Sequence, residues 1–121
     1  ALADPAFIKD YKALQEFIDH PTTVDGICRS VVKSIRQALE GYLRMKYPNQ
    51  FSNNEWLGDM IGKMRVATAG SVLSMGNGLL TDLTQVNDYS APYYHGQQEG
   101  EAFDQVELTS YVRQALSIIH R

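Results

Sequence analysis

One cysteine among 121 residues leaves no internal disulfide to staple the fold, and it fits a reducing, cytoplasmic setting. That cysteine and three scattered histidines have no spacing that would gather ligands around a structural metal. The apolar runs are far too short to cross a bilayer, so a membrane is not an expected partner. No run alternates apolar and polar residues for long enough to argue a sheet. Gly76-Asn77-Gly78 lacks the preceding strand and the following Lys-Ser/Thr of a phosphate loop, and no cofactor is expected in this stretch of chain. Basic residues are in short supply as well. The net charge is -3, which suits general nucleic-acid binding poorly, because phosphate contacts need clustered Lys and Arg. The charge is nevertheless uneven. Residues 27–65 carry seven basic against three acidic side chains and can present a local basic face.

What is there reads as helix. A hydrophobic content of 44% and this length predict a single all-helical domain over residues 1–121 with one modest core. The chain opens Ala-Leu-Ala-Asp without a signal-peptide pattern, and a helix begins at once, as in a domain cut from a longer protein. Asp4-Pro5 is an N-cap followed by proline at the first helical position, and Phe7, Ile8, Tyr11, Leu14, Phe17 and Ile18 follow at helical spacing. His20-Pro21 ends that helix. A long second helix, about 22–46, carries Ile27, Val31, Ile35, Ala38, Leu39, Tyr42 and Leu43 on its apolar face. Pro48 closes it. Ser52 with Glu55 has capping-box spacing before a short helix of Trp56, Leu57, Met60, Ile61 and Met64. Val72, Leu73, Leu79, Leu80, Leu83 and Val86 set a fourth helical pattern, with Gly76 and Gly78 marking a kink, a late start or a close approach. Pro92 is expected to stop that helix. Asp104 and Glu107 cap a last helix with Leu108, Val112, Ala115, Leu116 and Ile119 on one face. The predicted fold is all-α, a bundle of four to five helices with short connections.

Two features carry chemistry. The first is Val86-Asn87-Asp88-Tyr89-Ser90-Ala91-Pro92-Tyr93-Tyr94-His95, the densest run of reactive side chains in the chain. The second is a charged stripe on the long helix, Arg29, Lys33, Arg36, Glu40 and Arg44, at steps that share one face. Such a stripe is most simply a solvated face with an Arg36–Glu40 pair. An up-and-down packing can instead bring it against the 86–95 run. His95 can then move a proton near neutral pH, and Arg36 can grip a phosphate in two prongs. Glu40 can orient Arg36 or act as a second acid/base. Asn87, Tyr89 and Tyr94 can add hydrogen bonds or stack a base. Together these groups suffice for metal-free RNA cleavage through a 2′-hydroxyl. The competing reading is structural: Asn87 and Ser90 cap a helix end and the tyrosines fill the rim of a core.

The pattern Arg36-Gln-Ala-Leu-Glu40-Gly-Tyr-Leu-Arg44-Met-Lys-Tyr-Pro48, followed by a short helix and by Asn87-Asp-Tyr-Ser-Ala-Pro-Tyr-Tyr-His95, resembles the C-terminal region of a group of bacterial ATPases. Their SMC/ABC-like P-loop domain is broken by a long coiled coil. They are similar to the anticodon-nuclease ATPases of phage defence, which cut tRNA. The likeness covers about residues 24 to 120. It implies an HEPN-like helical bundle, often dimeric, acting without metal. It also implies Arg36, Glu40 and His95 as the catalytic set. Arg29, Lys33 and Arg44 would guide the RNA backbone, with Asn87, Tyr89 and Tyr94 as further substrate contacts. ATP and magnesium would belong to the ATPase part, since this chain has no Walker motif. The sequence departs from the usual HEPN motif, which has an arginine shortly before its histidine. No arginine lies between Asp82 and His95, so the resemblance leaves phosphate binding to Arg36.

The first functional expectation is a C-terminal effector domain of a bacterial defence-type ATPase that is, or descends from, a metal-independent endoribonuclease with a tRNA-like substrate. The alternative is a helical domain without chemistry that dimerises the ATPase or docks a partner. The expected partners are RNA, a second copy of the chain, or the rest of the ATPase.

Overall fold

The computed structural model describes residues 4–94 and 102–121, and every described element is helical. Helix α1 spans Pro5–Asp19, α2 Asp25–Lys46, α3 Leu57–Arg65, α4 Leu80–Tyr94 and α5 Gln105–Ile119, with a 3-10 helix over Leu73–Leu79 leading into α4. The expected all-α bundle is therefore present. Helices α1, α2, α4 and α5 form a ring in which each packs on the next, and α2 also touches α5 across the middle and α3 at its end. Successive members of the ring run in opposite directions. Arg121 at the end of α5 donates to the Gly78 carbonyl (3.1 Å) and pairs with Asp82 at the start of α4. Likewise Tyr47 at the end of α2 lies against Gly76, while Arg36, earlier in α2, meets Ser90, later in the chain.

The helix starts follow local chemistry. Asp4 Oδ1 accepts the Ala6 N–H (2.7 Å), with proline at the first helical position. Asp104 Oδ1 accepts the Glu107 N–H at the head of α5 (3.1 Å). Helix α2 starts at Asp25 without a side-chain cap; Thr22 Oγ1 instead accepts the Val24 N–H, which orders the turn from α1 (3.1 Å). The Ser52–Glu55 pair closes only a loop turn (2.6 Å), and α3 begins later, where Asp59 accepts the Trp56 N–H (3.0 Å).

Helix α2 is the hub. Val31, Val32, Ile35, Ala38, Leu39, Tyr42 and Leu43 are all buried. They meet Leu14 and Phe17 of α1, Leu83 and Val86 of α4, and Leu108, Val112, Ala115 and Ile118 of α5 in one cluster. Gly76 is small for a packing reason. A methyl group there would come within 2.5 Å of Met64 Cε and 2.8 Å of the Tyr47 hydroxyl.

Two expectations are corrected. Pro92 does not stop the helix; α4 continues through it to Tyr94. The missing N–H costs only the bond to the Asp88 carbonyl, on an exposed residue that water can satisfy. Packing holds the last turn, with Tyr93 stacked on Phe103 (centroids 4.5 Å apart) and Tyr94 edge-on to Trp56 (5.9 Å). Ile27, placed by spacing on the apolar face of α2, stays 49% exposed on the wall of an open groove between α1 and α2.

The hub predicts a sharp contrast. Leu39→Ala should cost about 2–5 kcal/mol in urea unfolding, because Leu39 is completely enclosed. Met75→Ala, at an 81% exposed position, should stay within about 0.5 kcal/mol.

Candidate functional site

The charged stripe of α2 is only partly a solvated face: Lys33 is exposed, while Arg36 is buried and Glu40 and Arg44 are partly covered. Its later part, from Arg36 to Arg44, falls into the seam with α4 and against the start of α3. Arg36 is only 2% exposed. Its Nη1 donates to Asn87 Oδ1 (3.0 Å) and to Ser90 Oγ (2.9 Å), both on α4. Ser90 in turn donates to the Val86 carbonyl one turn back (2.7 Å). The Tyr94 ring covers the guanidinium, 5.3 Å from its carbon. Arg36 Nε is buried and has no hydrogen-bond partner among the described residues. Burial pushes the guanidinium below its ordinary range, and the nearby Glu40 and Tyr94 partly offset that.

Glu40, one turn on, performs a different task. Its Oε2 accepts the Leu57 N–H at the head of α3 (2.8 Å), so a carboxylate from α2 caps another helix. Burial raises its pKa above the ordinary 4.5, while the Leu57 N–H, Arg36 and Arg44 pull it down. Arg44 continues the pattern by donating to the carbonyls of Glu55 (2.7 Å) and Asn53 (3.4 Å), which ties down the loop before α3. Asn87 sits where the helices converge. A methyl group on Gly58 in the first turn of α3 would lie 3.9 Å from its amide.

The remaining candidates lie apart from this cluster. Arg29 pairs with Asp25 within α2 (2.8 Å) and lies over Phe103 (5.3 Å). Lys33 is exposed on the side of α2 that faces Asp10 of α1. Tyr89 faces α5, stacked on Tyr111 (4.1 Å) and tilted against Tyr93 (5.4 Å). Its hydroxyl is buried with no partner among the described residues, and desolvation holds its pKa well above the usual phenol range. His95 lies outside the described residues. Arg36, Asn87 and Tyr94 thus come together with Glu40 beside them. Arg29, Lys33 and Tyr89 do not join them, and Arg44 serves the loop.

No family model, curated protein or solved structure matches this chain.

Two side chains at or beside this cluster escape a reading of the sequence. Ser90 looks like a helix-end cap, yet it is fully buried and receives Arg36. Its position does hold the signal, being four residues after buried Val86 and three after Asn87, hence on the inner face of α4. Trp56 reads as a core residue of α3, yet it sits half exposed ahead of the helix with its ring against Tyr94.

What this arrangement does best is hold α4 to α2. The hydrogen-bond partners of Arg36 among the described residues are neutral, so dipoles, a ring face and the nearby charge of Glu40 share the compensation of its charge. Arg36→Ala should cost about 3 kcal/mol in urea unfolding, since it opens a cavity and strips hydrogen-bond partners from Asn87 and Ser90. Arg36→Met keeps the volume and removes the buried charge, so it should cost clearly less. Glu40 sets a pH dependence. A carboxyl whose folded pKa is raised contributes stability that is fully present below its unfolded value and is lost as pH rises through the folded value. Glu40→Gln keeps an acceptor for Leu57 without the charge. Its stability relative to wild type should therefore rise from pH 4 to pH 8, as measured by paired urea titrations.

Proposed function

We propose that this domain is a helical docking and dimerisation module of a bacterial P-loop ATPase of the group it resembles. On this reading it is an HEPN-like bundle in which the arginine works inward. The observation that carries the proposal is the burial of Arg36, at 2% exposure with both bonds of its Nη1 spent on α4. A phosphate-gripping arginine needs its fork open to solvent. Glu40 and Arg44 support the same reading, because each is committed to the start of α3 or to the loop before it.

A second reading is an active metal-independent endoribonuclease acting on tRNA-like substrates, and two observations favour it. Arg36 Nε is buried without a partner among the described residues, and the ring over the guanidinium belongs to Tyr94, the residue directly before His95. A shift of that ring would uncover a cation at the end of α4, where the sequence continues into a histidine able to move protons. A cytoplasmic setting suits both readings.

One experiment separates them: incubation of the purified protein with total bacterial tRNA in EDTA, beside Arg36→Ala and His95→Ala. The docking proposal expects no cleavage from wild type and loss of stability, not of activity, in Arg36→Ala. Cleavage by wild type that vanishes in His95→Ala at unchanged helicity would overturn it in favour of the nuclease.

A further inference from the structure

Where α1 turns into α2, the two helices leave a groove of about 460 Å³ between them. Phe17 and Val31 form its floor and are buried, while Ala13 and Ile27 line its walls. Beside it Val24 and Ile27 stand out from the surface, 56% and 49% exposed. Knob and recess thus share one face. Two copies related by a two-fold axis satisfy both at once, since such an axis sets the same patch of each copy against the other.

The charges on this face choose the orientation. Near the turn the rim is acidic, with Glu16 on the groove. One turn further along, the same banks become basic: Lys12 lies four residues before Glu16, and Lys33 three after the groove residue Ser30. Asp10 lies within the basic end and feels Lys33, and Arg29 within the acidic end is already bonded to Asp25, so each end keeps its sign. An antiparallel arrangement sets each acidic end on the partner's basic end. A parallel arrangement sets like on like, which costs affinity.

We infer that the α1–α2 face is a homodimer interface, antiparallel, with Ile27 of each copy entering the groove of the other and Glu16 meeting Lys33 across the axis. The inference deepens the docking reading by naming the partner as a second copy. A lone amphipathic helix in the groove would fill the recess but leave the protruding Val24 and the two-ended charge pattern unanswered.

Sedimentation equilibrium of the intact protein over a range of concentrations tests this, with circular dichroism to show that each variant is folded. Wild type should dimerise reversibly. Ile27→Glu should be monomeric, and because Ile27 is exposed that variant should keep its fold. Glu16→Lys and Lys33→Glu should each weaken the dimer on the order of tenfold. The double variant Glu16→Lys/Lys33→Glu should recover it, because swapped charges meet again across a two-fold axis. A wild-type protein that stays monomeric overturns the inference and leaves the groove to a segment of another chain. So does a dimer indifferent to Ile27→Glu, or charge reversals whose effects add instead of cancelling. The tRNA assay bears on the docking reading alone: cleavage would sink that reading without dissolving a dimer, and a monomer would sink this inference without creating cleavage.

Discussion

The guanidinium of Arg36 is taken out of water between two helices with no carboxylate bonded to it among the described residues. That is costly in a protein interior, and it persists because the surrounding groups suit it: an amide oxygen, a hydroxyl oxygen, a ring face and the nearby carboxylate of Glu40. The interaction fixes the register of α4 on α2. Sliding α4 by one residue would carry Asn87 and Ser90 away from the guanidinium and leave it without partners. Apolar contacts such as Leu83 and Val86 tolerate small shifts more readily, since they are not directional.

Much else follows from that register. With α4 fixed, Asn87 lies against the first turn of α3, whose head is held by Glu40. The aromatic side chains of α4 reach α5, where Tyr89 stacks on Tyr111. One face of α2 therefore holds α4 and the head of α3 through polar contacts, while its apolar face supplies the bulk of the core. Charged stripes at helical spacing normally face water, and the part of this one from Arg36 to Arg44 faces protein because α2 is ringed by other helices.

The elements were legible in the sequence to the extent that local chemistry sets them. Asp4-Pro5 and Asp104 mark the starts of α1 and α5, and the apolar periodicity of α2 identifies most of its buried residues. The meeting of the Arg36 stripe with the 86–95 run was legible as a possibility, and Arg36, Asn87 and Tyr94 do meet. Burial of the meeting was not, because spacing reports which residues share a face and not how many neighbours cover it. Pro92 misleads for a related reason. Its local preference is to end a helix, and stacking of the last turn on Phe103 and Trp56 outweighs one lost hydrogen bond. Ser90 was hidden by its versatility, since a serine near a helix end suits a cap as well as a buried acceptor.

The single tryptophan has an optical consequence. Trp56 is half in solvent, edge-on to Tyr94, whose own ring covers the buried guanidinium. Its emission therefore reports on one place, the join between the head of α3 and the end of α4. Seven tyrosines, among them the Tyr89–Tyr111 stack, absorb at overlapping wavelengths and can pass excitation to it. Excitation at the red edge, where tyrosine is dark, isolates the join from the rest of the chain. Any event that lifts Tyr94 from Arg36 thus carries its own built-in dye.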